Sequence, residues 1–170
     1  GNAFYVSGHS MIEILNCQIS YTTYPGIYSR DSQCIIKNSK FENILENAIN
    51  IHSSNNFEIE NNLIQQIQDT AIGISDESKG LIKGNIITEV EGNGIFVYNS
   101  EIQLDNNEIH DLEYPAIALT MKSKAKLNGN KVSKIKYSGI CSRGASNVTI
   151  ENSEILDVNE SGISISDTEN

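Results

Sequence analysis

Polar and apolar residues alternate along this chain in short bursts, and the bursts return at a fixed interval. A small residue followed by a bulky apolar one recurs at Ala3-Phe4, Gly26-Ile27, Ala48-Ile49, Ala71-Ile72, Gly94-Ile95, Ala116-Ile117, Gly139-Ile140 and Gly162-Ile163. Successive small residues are 23, 22, 23, 23, 22, 23 and 23 positions apart. A period of that length predicts a solenoid, in which each unit buries its apolar face by stacking on its neighbours. Within a unit the alternation has period two, which predicts strand rather than helix. Three short strands are expected per unit. Ile49-Asn50-Ile51 typifies the first, Phe57-Glu58-Ile59 the second, and Ile64 to Ile67 the third. In the third, the apolar residues lie three apart, so the chain must bend between them.

Two residues after the second strand comes a column of Asn16, Asn38, Asn61, Gly84, Asn106, Gly129 and Asn152. Asn and Gly both tolerate the left-handed backbone conformation that a tight corner requires. Stacked Asn side chains are also expected to hydrogen-bond along the axis. Equivalent strands of successive coils must run parallel, about 4.8 Å apart, so seven coils make a rod roughly 30–35 Å long. The expected architecture is all-β: a right-handed parallel β-helix of about seven coils, forming one domain over residues 1–170. Both ends fall inside repeat units, which predicts an excerpt of a longer chain and a tendency for open coils to associate end to end.

The small-Ile-x-Ile…Ile-x-Ile-x-Asn-x-x-Ile pattern resembles the right-handed parallel β-helix repeat of the pectin-lyase-like superfamily over essentially all 170 residues. That resemblance implies polysaccharide lyases, glycoside hydrolases, uronic-acid epimerases and carbohydrate-binding repeats, together with non-enzymes. It implies that oligosaccharides bind in a groove beside the first strand. The Asn-Thr-Asp and Gly-His-Gly segments of polygalacturonases, the Trp-Ile-Asp-His segment of pectate lyases and the Asp-Pro-His-Asp segment of alginate epimerases are absent. No family catalytic residue therefore carries over.

With Ile49 and Ile51 facing inward, Asn50 and His52 face outward. One outward column then reads Tyr5, Tyr28, Asn50, Gly73, Phe96, Ala118, Cys141, Ser164, and the other Ser7, Arg30, His52, Ser75, Tyr98, Thr120, Arg143, Ser166. Asp31, Asp76, Asn99 and Asp167 lie just beyond. Tyr28 and Tyr98 offer flat faces for a sugar ring, and Arg30 suits a uronate carboxylate. His52 suits proton transfer near neutrality. The expected binding residues are Tyr28, Arg30, His52 and Tyr98. The catalytic role is unassigned, with His52, Asp31 and Asp76 as candidates. The corner pairs Tyr24-Pro25, Tyr114-Pro115 and Tyr137-Ser138 read first as packed turn residues and second as contact points.

Charge narrows the partners. A net charge of −10 and a pI near 4.7 exclude a phosphate-binding face, hence nucleic acid, and disfavour anionic membranes. No apolar run approaches the roughly 20 residues a membrane helix needs. Cys17, Cys34 and Cys141 occupy different positions of the repeat and read as isolated thiols. No cofactor and no metal is expected. The partner is expected to be an oligosaccharide or polysaccharide. The alternative is a protein partner, with the chain serving as a non-catalytic interaction or spacer solenoid. An extracellular or cell-surface setting is favoured.

Overall fold

A computed structural model describes residues 1–144 and 147–166. The described residues form 22 strands and no helix. These sort into three sheets of eight, seven and seven strands, and each coil contributes one strand to each sheet. Every pairing is parallel, between a strand and its equivalent one coil away. The register joins Ile49, Ile72 and Ile95 side by side in the first sheet, and Phe57 with Gly80 in the second. This is the three-sided coil expected from the periodicity.

The shaft of the coil is dry. Ile27, Ile49, Ile72, Ile95 and Ile117 are completely buried, as are Ile36, Ile59 and Ile82, and Ile64, Ile87 and Ile109. Like stacks on like because the register is fixed, and a slip of one residue would turn every apolar side chain outward. Each such Ile contributes roughly 1.5–3 kcal/mol by leaving water. Where size varies, neighbours compensate. Gly80 occupies an inward position beside Phe57, and a Cβ there would lie 2.4 Å from the Phe57 carbonyl oxygen. Phe57 fills the space that Gly80 leaves.

The corners follow backbone chemistry. Asn16, Asn38, Asn61, Asn106 and Asn152 all have φ between 50° and 56°, and Gly84 and Gly129 join them at 63° and 67°. The third strand bends at a second left-handed column of Asn43, Gln66, Glu89, Asp111, Lys134 and Asp157.

One expectation needs correction. The stacked amides belong to the residue after the left-handed column. Asn62, Asn85, Asn107 and Asn130 are buried. The Asn85 backbone and side-chain amides both donate to Asn107 Oδ1, at 3.1 and 3.0 Å. Asn107 Nδ2 in turn donates to Ile82 O and Asn130 Oδ1, each at 3.0 Å. The left-handed Asn beside it points outward, because its backbone already makes the turn. A serine ladder closes the corner after the first strand, with Ser54 N donating to Ser78 Oγ at 3.0 Å and Ser78 N to Ser100 Oγ at 3.1 Å.

Candidate functional site

The turn after the first strand takes two forms. One has a single left-handed residue, as at Asp31, Ser53 and Asn99. The other has two in succession, Gly8-His9, Asp76-Glu77 and Met121-Lys122. In the Asp76-Glu77 turn the Asp76 carboxylate comes back against the coil before it. Asp76 Oδ2 lies 3.2 Å from His52 Nδ1. Ser75 Oγ sits 2.6 Å from the same nitrogen and donates to Asp76 Oδ2 at 3.1 Å. Ser75 and Asp76 thus both engage the Nδ1 edge of the His52 ring and fix its orientation. Nε2 is buried without a hydrogen-bond partner.

An aromatic ladder continues from this histidine. The His52 and Tyr28 ring centroids are 5.0 Å apart with planes at 34°, and Tyr28 stacks on Tyr5 at 5.4 Å with planes at 1°. The sheet register pairs Tyr5 with Tyr28, whereas Tyr28 meets His52 diagonally, since its own register partner is Asn50 and that of His52 is Arg30. Tyr5 is largely exposed.

The expected residues divide into three groups. Tyr28, His52 and Asp76 are brought together. Arg30 lies beside His52, as the column predicts, but its Nε is 3.7 Å from Asp31 Oδ2, so both charges are partly engaged. Tyr98 is exposed one coil beyond Ser75 and does not join the ladder. Asp31 and Asp76 share a groove of about 560 Å³ with His9, Gln33, Asn55 and Glu77. Glu77 adjoins Asp76 in sequence, whereas His9, Gln33 and Asn55 were not anticipated, because they come from other coils. Asp167 lies outside the described residues. Cys17, Cys34 and Cys141 are unpaired, and burial pushes the Cys34 thiol up to about 12.

A second titratable cluster occupies the third sheet, on a face expected to be plain solvated surface. His110 Nδ1 lies 2.6 Å from Asp111 Oδ2 and 3.2 Å from Thr88 Oγ1, and Lys134 Nζ approaches Asp111 at 3.6 Å. The His110 hydrogen bond, aided by Lys134, holds the Asp111 carboxyl below its usual range against partial desolvation. This cluster borders a groove of about 610 Å³ lined by Glu89, Glu91 and Glu113. No group of three or more His, Cys, Asp or Glu side chains is arranged to hold a metal ion among the described residues. No helix among them is long and apolar enough to cross a membrane.

Three parallel sheets, a stacked isoleucine shaft and asparagine corners define a β-solenoid of the pectin-lyase-like kind. The family model described as "Right handed beta helix region" matches residues 2–140 and 70–170, and the chain belongs to that family. A comparison with curated protein sequences gave no match. Among solved structures, the A-module of the Azotobacter vinelandii mannuronan C-5 epimerase AlgE4 superposes with a TM-score of 0.71 at 14% identity, covering 98% of this chain and 61% of that one. The periplasmic alginate epimerase AlgG gives 0.68 at 16% identity, covering 83% and 43%. The A-module of AlgE6 from the same organism gives 0.58 at 14%, covering 98% and 61%. At those identities the likeness is one of fold. The chain spans about half the length of the solved structures it matches.

Proposed function

We propose that this β-helix binds a polysaccharide along the outward face of its first sheet, with Tyr5 and Tyr28 as the platform on which a sugar ring stacks. The observation that carries the reading is the ladder Tyr5–Tyr28–His52, rigid at its base because Ser75 and Asp76 hold the histidine. Aromatic faces exposed on a pre-organised scaffold bind with little loss of side-chain freedom. The fold-level likeness to alginate epimerases supports a polysaccharide as the ligand class and a setting outside the cytoplasm. Arg30, on the same strand as Tyr28, and Tyr98, two coils beyond His52, extend the face.

His52 serves this face as a support for Tyr28. Its Nε2 lies buried without a hydrogen-bond partner and is not placed to exchange a proton with a bound sugar. The groove at Asp31 and Asp76 lies alongside and suits hydroxyl groups of a chain that crosses the turn. A glycan array read with the natural protein and with Tyr28→Ala tests the proposal. The expected result is binding to one class of linear polysaccharide, reduced at least tenfold in the variant. No binding across neutral and anionic glycans alike, or equal binding by Tyr28→Ala, would refute it.

A further inference from the structure

The corner between the third and first sheets carries a column of residues three before each leading isoleucine: Asp69, Gly92, Tyr114, Tyr137 and Glu160 in successive coils. The sequence reading favoured packed turn residues here. The structure corrects that: Tyr114 is 56% exposed and Tyr137 39%. Their rings stack with centroids 6.3 Å apart and planes at 19°. Pro115 follows Tyr114 and is buried, which anchors the turn and restricts the Tyr114 backbone to extended conformations. The platform is thus fixed before any ligand arrives.

The rung next to Tyr114 is bare. Glu113 N donates to Val90 O and Gly94 N to Pro115 O, which sets Gly92 beside Tyr114. A Cβ on Gly92 would lie 2.7 Å from the Asp69 carbonyl carbon and 3.0 Å from Thr70 N, so no side chain can occupy that rung. At Gly92, as at Gly26 and Gly94, the nearest atom to that Cβ is backbone, so the position is closed to any side chain. The coil next to Tyr114, about 4.8 Å away, therefore carries no side chain at this position.

We propose that Tyr114 and Tyr137 form a second glycan site, distinct from the first-sheet ladder, which takes a neutral pyranose stacked on Tyr114 in the rung left bare by Gly92. Charge selects the class. The column is flanked by Asp69 and Glu160, and the neighbouring column brings Glu91, for which no cation lies within ion-pair distance among the described residues. Glu113 is taken by Lys136. Carboxylates accept hydrogen bonds from sugar hydroxyls and repel a uronate. The inference shares the glycan ligand class of the first-sheet reading but rests on separate residues.

The test is an NMR titration of the natural protein, observing tyrosine ring signals, with cellohexaose, mannohexaose and xylohexaose as neutral probes and hexamannuronate as the anionic one. The expected result is that at least one neutral probe shifts Tyr114 and Tyr137, that hexamannuronate does not, and that Tyr114→Ala weakens the response about tenfold. Tyr114→Phe retains the ring and should retain binding, which separates a lost platform from a damaged fold. Tyr28→Ala should leave the corner signals unchanged. The proposal falls if no neutral probe moves Tyr114 and Tyr137, if hexamannuronate moves them equally, or if Tyr114→Ala binds as the natural protein does. A silent corner with responding Tyr28 would overturn this inference and leave the first-sheet reading standing; the reverse pattern would do the opposite.

Discussion

Asn106 and Asn107 are adjacent and chemically identical, yet they should differ sharply when each is replaced by alanine. Asn106 sits at φ 53° on the surface, so Asn106→Ala exchanges a residue that tolerates the left-handed region for one that does so less well. That costs about 1 kcal/mol. Asn107 is buried, and its Oδ1 accepts both the backbone and the side-chain amide of Asn85, while its Nδ2 donates to Ile82 O and Asn130 Oδ1. Asn107→Ala orphans two buried donors on Asn85 and withdraws one donor from Ile82 O. At about 1–3 kcal/mol for each buried donor left without a partner, the expected loss is about 2–6 kcal/mol. Urea unfolding followed by circular dichroism measures both variants. A lowered midpoint at unchanged slope would assign the effect to stability rather than to a changed unfolded state. The reasoning fails if Asn107→Ala stays within about 1 kcal/mol of the natural protein, or if Asn106→Ala is the more damaging of the two.

Two further outcomes follow from the titratable groups. The Cys34 thiol, pushed up to about 12 by burial, should remain unmodified by a thiol reagent at pH 8 in the folded protein, while the half-buried Cys17 reacts; denaturant should expose Cys34 to the reagent. Rapid labelling of Cys34 in the folded state, seen by mass spectrometry of its peptide, would contradict the dry shaft around it. Asp111 has a folded-state pKa below its ordinary 3.8, so its contribution to stability is fully present above that value and is lost as pH falls through the lower, folded one. Measured from pH 5 downward, the stability difference between the natural protein and Asp111→Asn should therefore shrink below about pH 4. A difference that grows as pH falls from 5 through the carboxylate range would show that the contacts of Asp111 have the wrong sign.

Much of this architecture can be read from periodicity because the repeat leaves the chain few choices. Once Ile49 and Ile72 are known to stack, the outward positions of Asn50, His52 and their equivalents are determined, and the Tyr5–Tyr28 pairing follows, while the diagonal approach of Tyr28 to His52 does not. The asparagine ladder was harder to place for a specific reason. Asn61-Asn62 and Asn106-Asn107 are doublets, and at other coils the ladder position is Cys17, Ser39 or Ser153, so the sequence marks the outward column more clearly than the buried one. Side-chain contacts across turns were also beyond reach. The Asp76 contact with His52 is made from a turn of two left-handed residues, and the burial of His52 Nε2 comes from packing between coils. The bare rung at Gly92 needed coordinates as well, since Gly92 reads in sequence as an ordinary loop glycine, whereas its meaning lies in the backbone of Asp69 and the ring of Tyr114.

The account rests most heavily on the first-sheet face as the place where a polysaccharide lies. Its most direct test is a crystal structure of the protein soaked with oligosaccharides of the class selected by the array. The account predicts density for a sugar ring stacked on the Tyr5–Tyr28 ladder, with the His52–Asp76 contact intact beneath it. Sugar density confined to other faces, with Tyr5 and Tyr28 bare, would contradict it.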